Sequence, residues 1–165
     1  MKARGGDVGF SHSNGAMGRL IRLGEWMRFR RGSRWNHQFI VSDETAPDGC
    51  PLVIQATLRG VTKTARLDSM GDYVTMPPPA GTNRAKVLAF AHAQVGIEYG
   101  ILTILAIALD IVTWNWVPSF RGARRQSWIC SALANEALRF GGWLHPWIDI
   151  YDVTPAQGFA ALMDD

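Results

Sequence analysis

Apolar residues recur at close to helical spacing between Ala16 and Arg31, at Met17, Leu20, Ile21, Leu23, Trp26 and Met27. Arg19, Arg22, Glu25 and Arg28 occupy the rest of that predicted helix, and Gly32-Ser33 breaks it. Asp7-Val8-Gly9-Phe10 reads as a short opening strand or turn. His37 to Ser42 and Leu52 to Thr57 read as strands, and the Asp43 to Gly49 stretch between them has loop chemistry. A symmetric hairpin register sets His37 roughly opposite Gln55, on one sheet face. Val61 to Leu67 predicts a third strand, followed by a turn at Gly71-Asp72 and a Pro77 to Gly81 punctuation.

Thr82 or Asn83 can cap a helix from Arg84 to about Val95, stopped by Gly96. The longest apolar run, Ile101 to Val117, is interrupted by Asp110. A carboxylate near the centre of a spanning helix costs roughly 2.5–3.5 kcal/mol. The run therefore reads as a buried or cleft-lining element before it reads as membrane-associated. Pro118 and Gly122 bracket a basic loop with Arg121, Arg124 and Arg125. A last helix is expected from Trp128 to Phe140, with Ser127 as N-cap and Gly141-Gly142 at its stop. The order helix, strands, helix, helix predicts one α+β domain over 1–165, with helices packed against a small antiparallel sheet.

Hydrophobic residues make up 47% of the 165 and charged ones 19%, which excludes a disordered chain. A net charge of +3 suits contact with anionic surfaces but is too weak to argue specific nucleic-acid binding. Two cysteines, Cys50 and Cys130, make neither a disulfide framework nor a zinc site. The N-terminal residues carry no secretory pattern, so the chain is expected in the cytoplasm as synthesised.

The candidate chemistry starts at Cys130. In the first turn of its helix, unpaired N–H groups and the positive end of the dipole favour a thiolate. Cys130, Leu133, Ala134, Ala137 and Leu138 form one stripe, so the sulfur faces the body of the protein, while Glu136 and Arg139 face away. Taken alone, such a cysteine reads as a structural one. His37 heads a strand after Trp35-Asn36, and alone it reads as an edge residue. His12 looks solvated, and His92 and His145 show no obvious partner. Gln55 places an amide inside the apolar strand Leu52 to Ala56. It suits the third position of a nucleophile–base–orienter triad, fixing the imidazole tautomer without charge.

The order of these elements resembles the permuted branch of the NlpC-type, papain-like cysteine peptidases, which includes YiiX/YaeF-like hydrolases and relatives of lecithin retinol acyltransferase. The matching residues are Gly6-Asp7, Asn36-His37-Gln38-Phe39, Val53-Ile54-Gln55-Ala56 with Gly60-Val61, Gly96 to Gly100 with Tyr99, Cys130-Ser131 and Thr154-Pro155. The base precedes the nucleophile, the reverse of papain. One departure is Gln55, where YiiX-like members often carry an acid. The resemblance implies a circularly permuted papain-like fold and a thiol protease or amidase with Cys130 as nucleophile, His37 as base and Gln55 as orienter. Asn36, Ser131 and Tyr99 are then candidates for the oxyanion or substrate site. No cofactor or metal is implied.

Arg28, Arg30, Arg31 and Arg34 precede His37, and Arg121, Arg124 and Arg125 precede Cys130. If the dyad assembles, both clusters converge on one rim suited to an anionic polymer or phospholipid surface. The leading expectation is hydrolysis of peptide or amide bonds in bacterial peptidoglycan, with delivery by a phage particle or a specialised export route. The alternatives are a lipid-directed acyl hydrolase or acyltransferase, and a catalytically silent assembly module on the same fold.

Overall fold

The computed structural model describes residues 2–12, 19, 22, 23, 26, 34–57, 59–97, 129–144 and 153–164. Five strands form one antiparallel sheet: β1 (Val8–His12), β2 (His37–Thr45), β3 (Pro51–Thr57), β4 (Gly60–Arg66) and β5 (Asp72–Met76). Their spatial order is β4-β3-β2-β1-β5, so β2, which begins at His37, lies in the middle. A 3-10 turn over Leu67–Met70 links β4 to β5. Three helices accompany the sheet among the described residues: α1 (Arg84–Ala93), α2 (Cys130–Phe140) and α3 (Pro155–Asp164).

Strand alternation divides the core in two. Val8, Phe10, Ile40, Ile54, Ala56 and Val61 form one cluster with Val87 and Ala91 of α1 and Leu133, Ala134, Ala137 and Leu138 of α2. Phe39, Val41, Val53 and Leu67 form the other, closed by Ala3, Cys50, Ala65 and Met70. Each fully buried aliphatic or aromatic side chain contributes about 1.5–3 kcal/mol, so the two clusters together fix the sheet between its covers. The result is the expected α+β arrangement of helices on a small antiparallel sheet.

The Gly6-Asp7 pair has a structural task here. Gly6 N–H donates to the Val41 carbonyl and Val41 N–H donates to the Asp7 carbonyl, both at 2.8 Å. The Asp7 carboxylate is buried; it accepts from Arg4 N–H at 2.8 Å and from Arg84 Nη1 at 2.6 Å. Arg84 also donates to the Gly5 carbonyl at 3.0 Å. The chain start is thereby pinned to both β2 and the first turn of α1.

Several boundaries differ from the sequence expectation. Asp72–Met76 is a full edge strand paired to β1, where only a turn was expected. Of the two candidate caps for α1, Asn83 is the one used, its side chain accepting from Lys86 N–H at 3.1 Å. The final helix is α3, and the sequence reading stopped one helix short. Its start is a capping box: Thr154 N–H donates to Gln157 Oε1 at 2.9 Å, and Gln157 N–H donates to Thr154 Oγ1 at 3.3 Å. Pro155 takes the first helical position, where its missing N–H costs nothing. No described helix is long and apolar enough to cross a membrane. The Ile101 to Val117 run lies outside the described residues, as does most of the helix expected from Ala16 to Arg31.

Candidate active site

Cys130 is the first residue of α2, not a residue two positions inside it. The helix was expected from Trp128 with Ser127 as cap; instead Ile129 is extended at the cap position and supplies no side-chain cap bond. Cys130 thus sits at the very mouth of the helix, where the backbone N–H has no carbonyl one turn back to bond. The stripe behind it is buried as expected, at Leu133, Ala134, Ala137 and Leu138. Glu136 and Arg139 pair with each other near the surface, Arg139 Nε donating to Glu136 Oε2 at 2.8 Å.

His37 is the first residue of β2 and half-buried. Its Nε2–H donates to Gln55 Oε1 at 2.7 Å. The Cys130 side chain acts on the same ring and raises its pKa; with Nε2 held by Gln55, Nδ1 is the nitrogen left to serve the sulfur. The three groups whose sequence positions suggested a triad therefore touch in the order Cys130, His37, Gln55. The hairpin register is not the symmetric one. Ile40 pairs with Ile54 and Val41 with Val53, which sets Gln55 opposite Phe39. His37 reaches Gln55 along the diagonal, a distance long side chains can span on one face.

Electrostatics bind the pair further. Burial opposes ionisation of Cys130, yet its pKa lies below the ordinary thiol value. The hydrogen bond and charge of His37, with the backbone N–H groups of Gln38 and Ser131, outweigh the burial. Burial equally opposes charge on His37. The hydrogen bond and charge of Cys130, followed by the bond to Gln55, outweigh it and raise the imidazole above its ordinary value. The two shifts reinforce one another, and together they favour a thiolate–imidazolium pair. Both cysteines are free thiols, so no bridge to Cys50 competes for the sulfur.

No protein-family model and no curated protein matches the chain. The functional reading rests on the site itself.

Of the other expected site residues, Asn36 is buried and its N–H donates to the Ser11 carbonyl at 3.2 Å. Ser131 is buried beside Cys130, and its backbone N–H helps to hold the thiol pKa down. Tyr99 lies outside the described residues. Among the arginines, Arg34 is exposed, its guanidinium 5.1 Å from the Trp35 ring centroid, and its Nε donates to Asp72 at 3.0 Å. Arg28, Arg30, Arg31, Arg121, Arg124 and Arg125 lie outside the described residues.

Two other histidines have partners that the sequence did not suggest. His92 meets Asp43 Oδ1 through Nε2 at 2.7 Å, a pairing between α1 and the end of β2. His12 is not merely solvated: its ring meets the Arg34 carbonyl at 2.7 Å and the Arg22 guanidinium at 2.7 Å. The residue that sequence reasoning missed is Gln38. Its backbone N–H is among the groups that hold the Cys130 pKa down, while its side chain is buried on the helix side of β2. A polar residue directly after the base, in a run that is otherwise apolar through Val41, was the available signal.

Proposed function

We propose that the chain is a cysteine hydrolase on a circularly permuted papain-like fold, acting on amide bonds of bacterial cell-wall peptides. The observation that carries this reading is the His37 ring, held between the Cys130 sulfur and the Gln55 carbonyl at the first residue of a helix. The thiolate attacks the carbonyl carbon, and the C–N bond breaks as His37 gives its Nδ1 proton to the leaving nitrogen. The acyl group remains on sulfur as a thioester. Water then adds to that carbonyl, giving a proton back to His37, and the C–S bond breaks to release the acid and restore the thiolate. The Cys130 N–H, at the first position of its helix, is placed to receive the negative oxygen of each tetrahedral intermediate. Peptidoglycan stem peptides carry carboxylates, which suits a chain of net charge +3.

Mass spectrometry of products released from purified peptidoglycan and from phospholipid vesicles tests this reading. Wild type should release amide-cleavage products from peptidoglycan, and Cys130→Ala should release none. Cys130-dependent fatty acid with no peptide product would replace the peptide substrate by a lipid ester. The absence of any Cys130-dependent product from either material would remove the hydrolase reading.

Gln55 gives a graded prediction. Gln55→Ala should lower kcat on the order of ten- to a hundredfold, because the ring loses its tautomer control but the nucleophile remains. Circular dichroism should change little, since Gln55 is only half-buried. Gln55→Glu should keep or raise the rate by stabilising the imidazolium. Unchanged kinetics in Gln55→Ala would reduce the site to a Cys–His dyad.

A further inference from the structure

The core on the helix side of β2 is interrupted by two amides. Gln38 on β2 and Asn135 on α2 are fully buried. None of their four side-chain oxygen and nitrogen atoms has a hydrogen-bond partner among the described residues. Both amides converge on Gly158 of α3. A methyl group added there would stand 3.1 Å from Gln38 Oε1, 3.5 Å from Gln38 Nε2 and 3.6 Å from Asn135 Oδ1. The neighbouring cluster is built of Phe10, Ile40, Leu133, Leu138 and Leu162, among which leucine would be the inexpensive choice at either position. Buried amides in folded proteins keep partners. Where the chain supplies none, the usual partner is an internal water making about three hydrogen bonds.

We propose that Gln38 and Asn135, under the side-chain-free surface of Gly158, bind one internal water molecule that bridges β2 to α2. A water can donate to Gln38 Oε1 and Asn135 Oδ1 while accepting from an amide N–H of either residue, which matches what these groups offer. The bridge joins the two elements that carry the dyad. Gln38 directly follows His37 at the start of β2, and Asn135 lies on the helix that Cys130 begins. Gln38 and Asn135 are thus positioning residues, acting through the helix–strand spacing; this consequence rests on the catalytic reading, whereas the water site does not.

Water–protein cross-relaxation in the isotope-labelled wild-type protein tests the site directly. The side-chain amide protons of Gln38 and Asn135 should show cross-peaks to a long-lived water, and Gly158→Ala should abolish them. Protected amide protons without such cross-peaks, or a crystal structure in which the two amides bond each other, would overturn the site. Thermal unfolding supplies a second measurement. Gln38→Leu and Asn135→Leu should each lower Tm, and the double variant should recover most of the loss because no amide is left stranded. Additive losses would overturn the bridge. For positioning, Asn135→Leu should slow iodoacetamide labelling of Cys130 at pH 6 by about threefold and move its rise toward higher pH, with partial rescue by Asn135→Ser. Unchanged labelling beside a visible water would overturn the positioning role alone. An inert Cys130 in wild type would remove the catalytic reading and leave the water site standing.

Discussion

Iodoacetamide should alkylate Cys130 at pH 6 far faster than Cys50, and His37→Ala should erase most of the difference. The reagent reacts with thiolate, and a thiol of ordinary pKa is less than about 1% ionised at that pH. Cys130 is held below that ordinary value, and burial alone would have pushed it the other way. Removing His37 deletes the leading cause of that lowering and leaves only the backbone N–H groups of Gln38 and Ser131 against burial, so labelling at pH 6 should fall on the order of tenfold or more. Cys50 labelling should not change in the same variant. The signs also set the shape of the hydrolytic pH profile. Under the proposed hydrolysis, activity should rise as Cys130 ionises through its lowered pKa and should fall as His37 loses its proton through its raised one, because the leaving nitrogen then lacks an acid. Between those limits the ion pair is intact. Equal, slow labelling of both cysteines, or a Cys130 rate indifferent to His37→Ala, would mark an inert structural thiol.

The candidate site was legible because its members break local pattern. Gln55 stands in an apolar strand, and Cys130 opens a helix whose buried stripe continues its own direction. The hairpin register was misjudged by two residues, since β2 is irregular between Val41 and Thr45 and extends farther than loop chemistry suggested. That error left the contact intact. Side chains alternate with period two, so an even shift keeps every residue on its face, whereas a shift of one would have separated Gln55 from His37. The start of α2 was misplaced because Ser127 is a good capping residue, yet the extended Ile129 is where the backbone turns. Asp72–Met76 escaped notice because a five-residue edge strand between a glycine turn and Pro77 has too few residues to show alternation. The helix α3 did announce itself, through Thr154, Pro155 and Gln157, but Gly158 interrupts the apolar periodicity that would have drawn attention to it. Gln38 stood out only as a polar residue in the apolar run of β2 and Asn135 not at all; the packing of α3 against β2 and α2 is what brings them together.

Gly9→Ala should destabilise the protein by about 3 kcal/mol, at the upper end of overpacking costs. Gly9 pairs with Phe39 across β1 and β2, and the fully buried Phe39 ring lies over it. A Cβ at this position would meet Phe39 Cε2 at 2.0 Å, Cζ at 2.1 Å and Cδ2 at 2.6 Å, so the ring must leave or the strands must part. A glycine under a cross-strand aromatic regains through that ring the packing its missing side chain forfeits. The consequence reaches the dyad. Phe39 stands between Gly9 on one neighbouring strand and Gln55 on the other, with its ring centroid 6.5 Å from that of His37. Leaning over Gly9, the ring leaves the Gln55 side of the face to the imidazole. Driven off Gly9, it moves toward the bond between His37 and Gln55, so Gly9→Ala should also slow Cys130 labelling at pH 6. Chemical denaturation of Gly9→Ala, Phe39→Leu and the double variant separates this account from a general intolerance of β1. A smaller residue at 39 makes room for the alanine methyl, so the double variant should be more stable than the sum of the single losses by about 1–2 kcal/mol. Strict additivity, or a Gly9→Ala protein within about 0.5 kcal/mol of wild type, would show that the ring relaxes freely and does not hold the face open for His37.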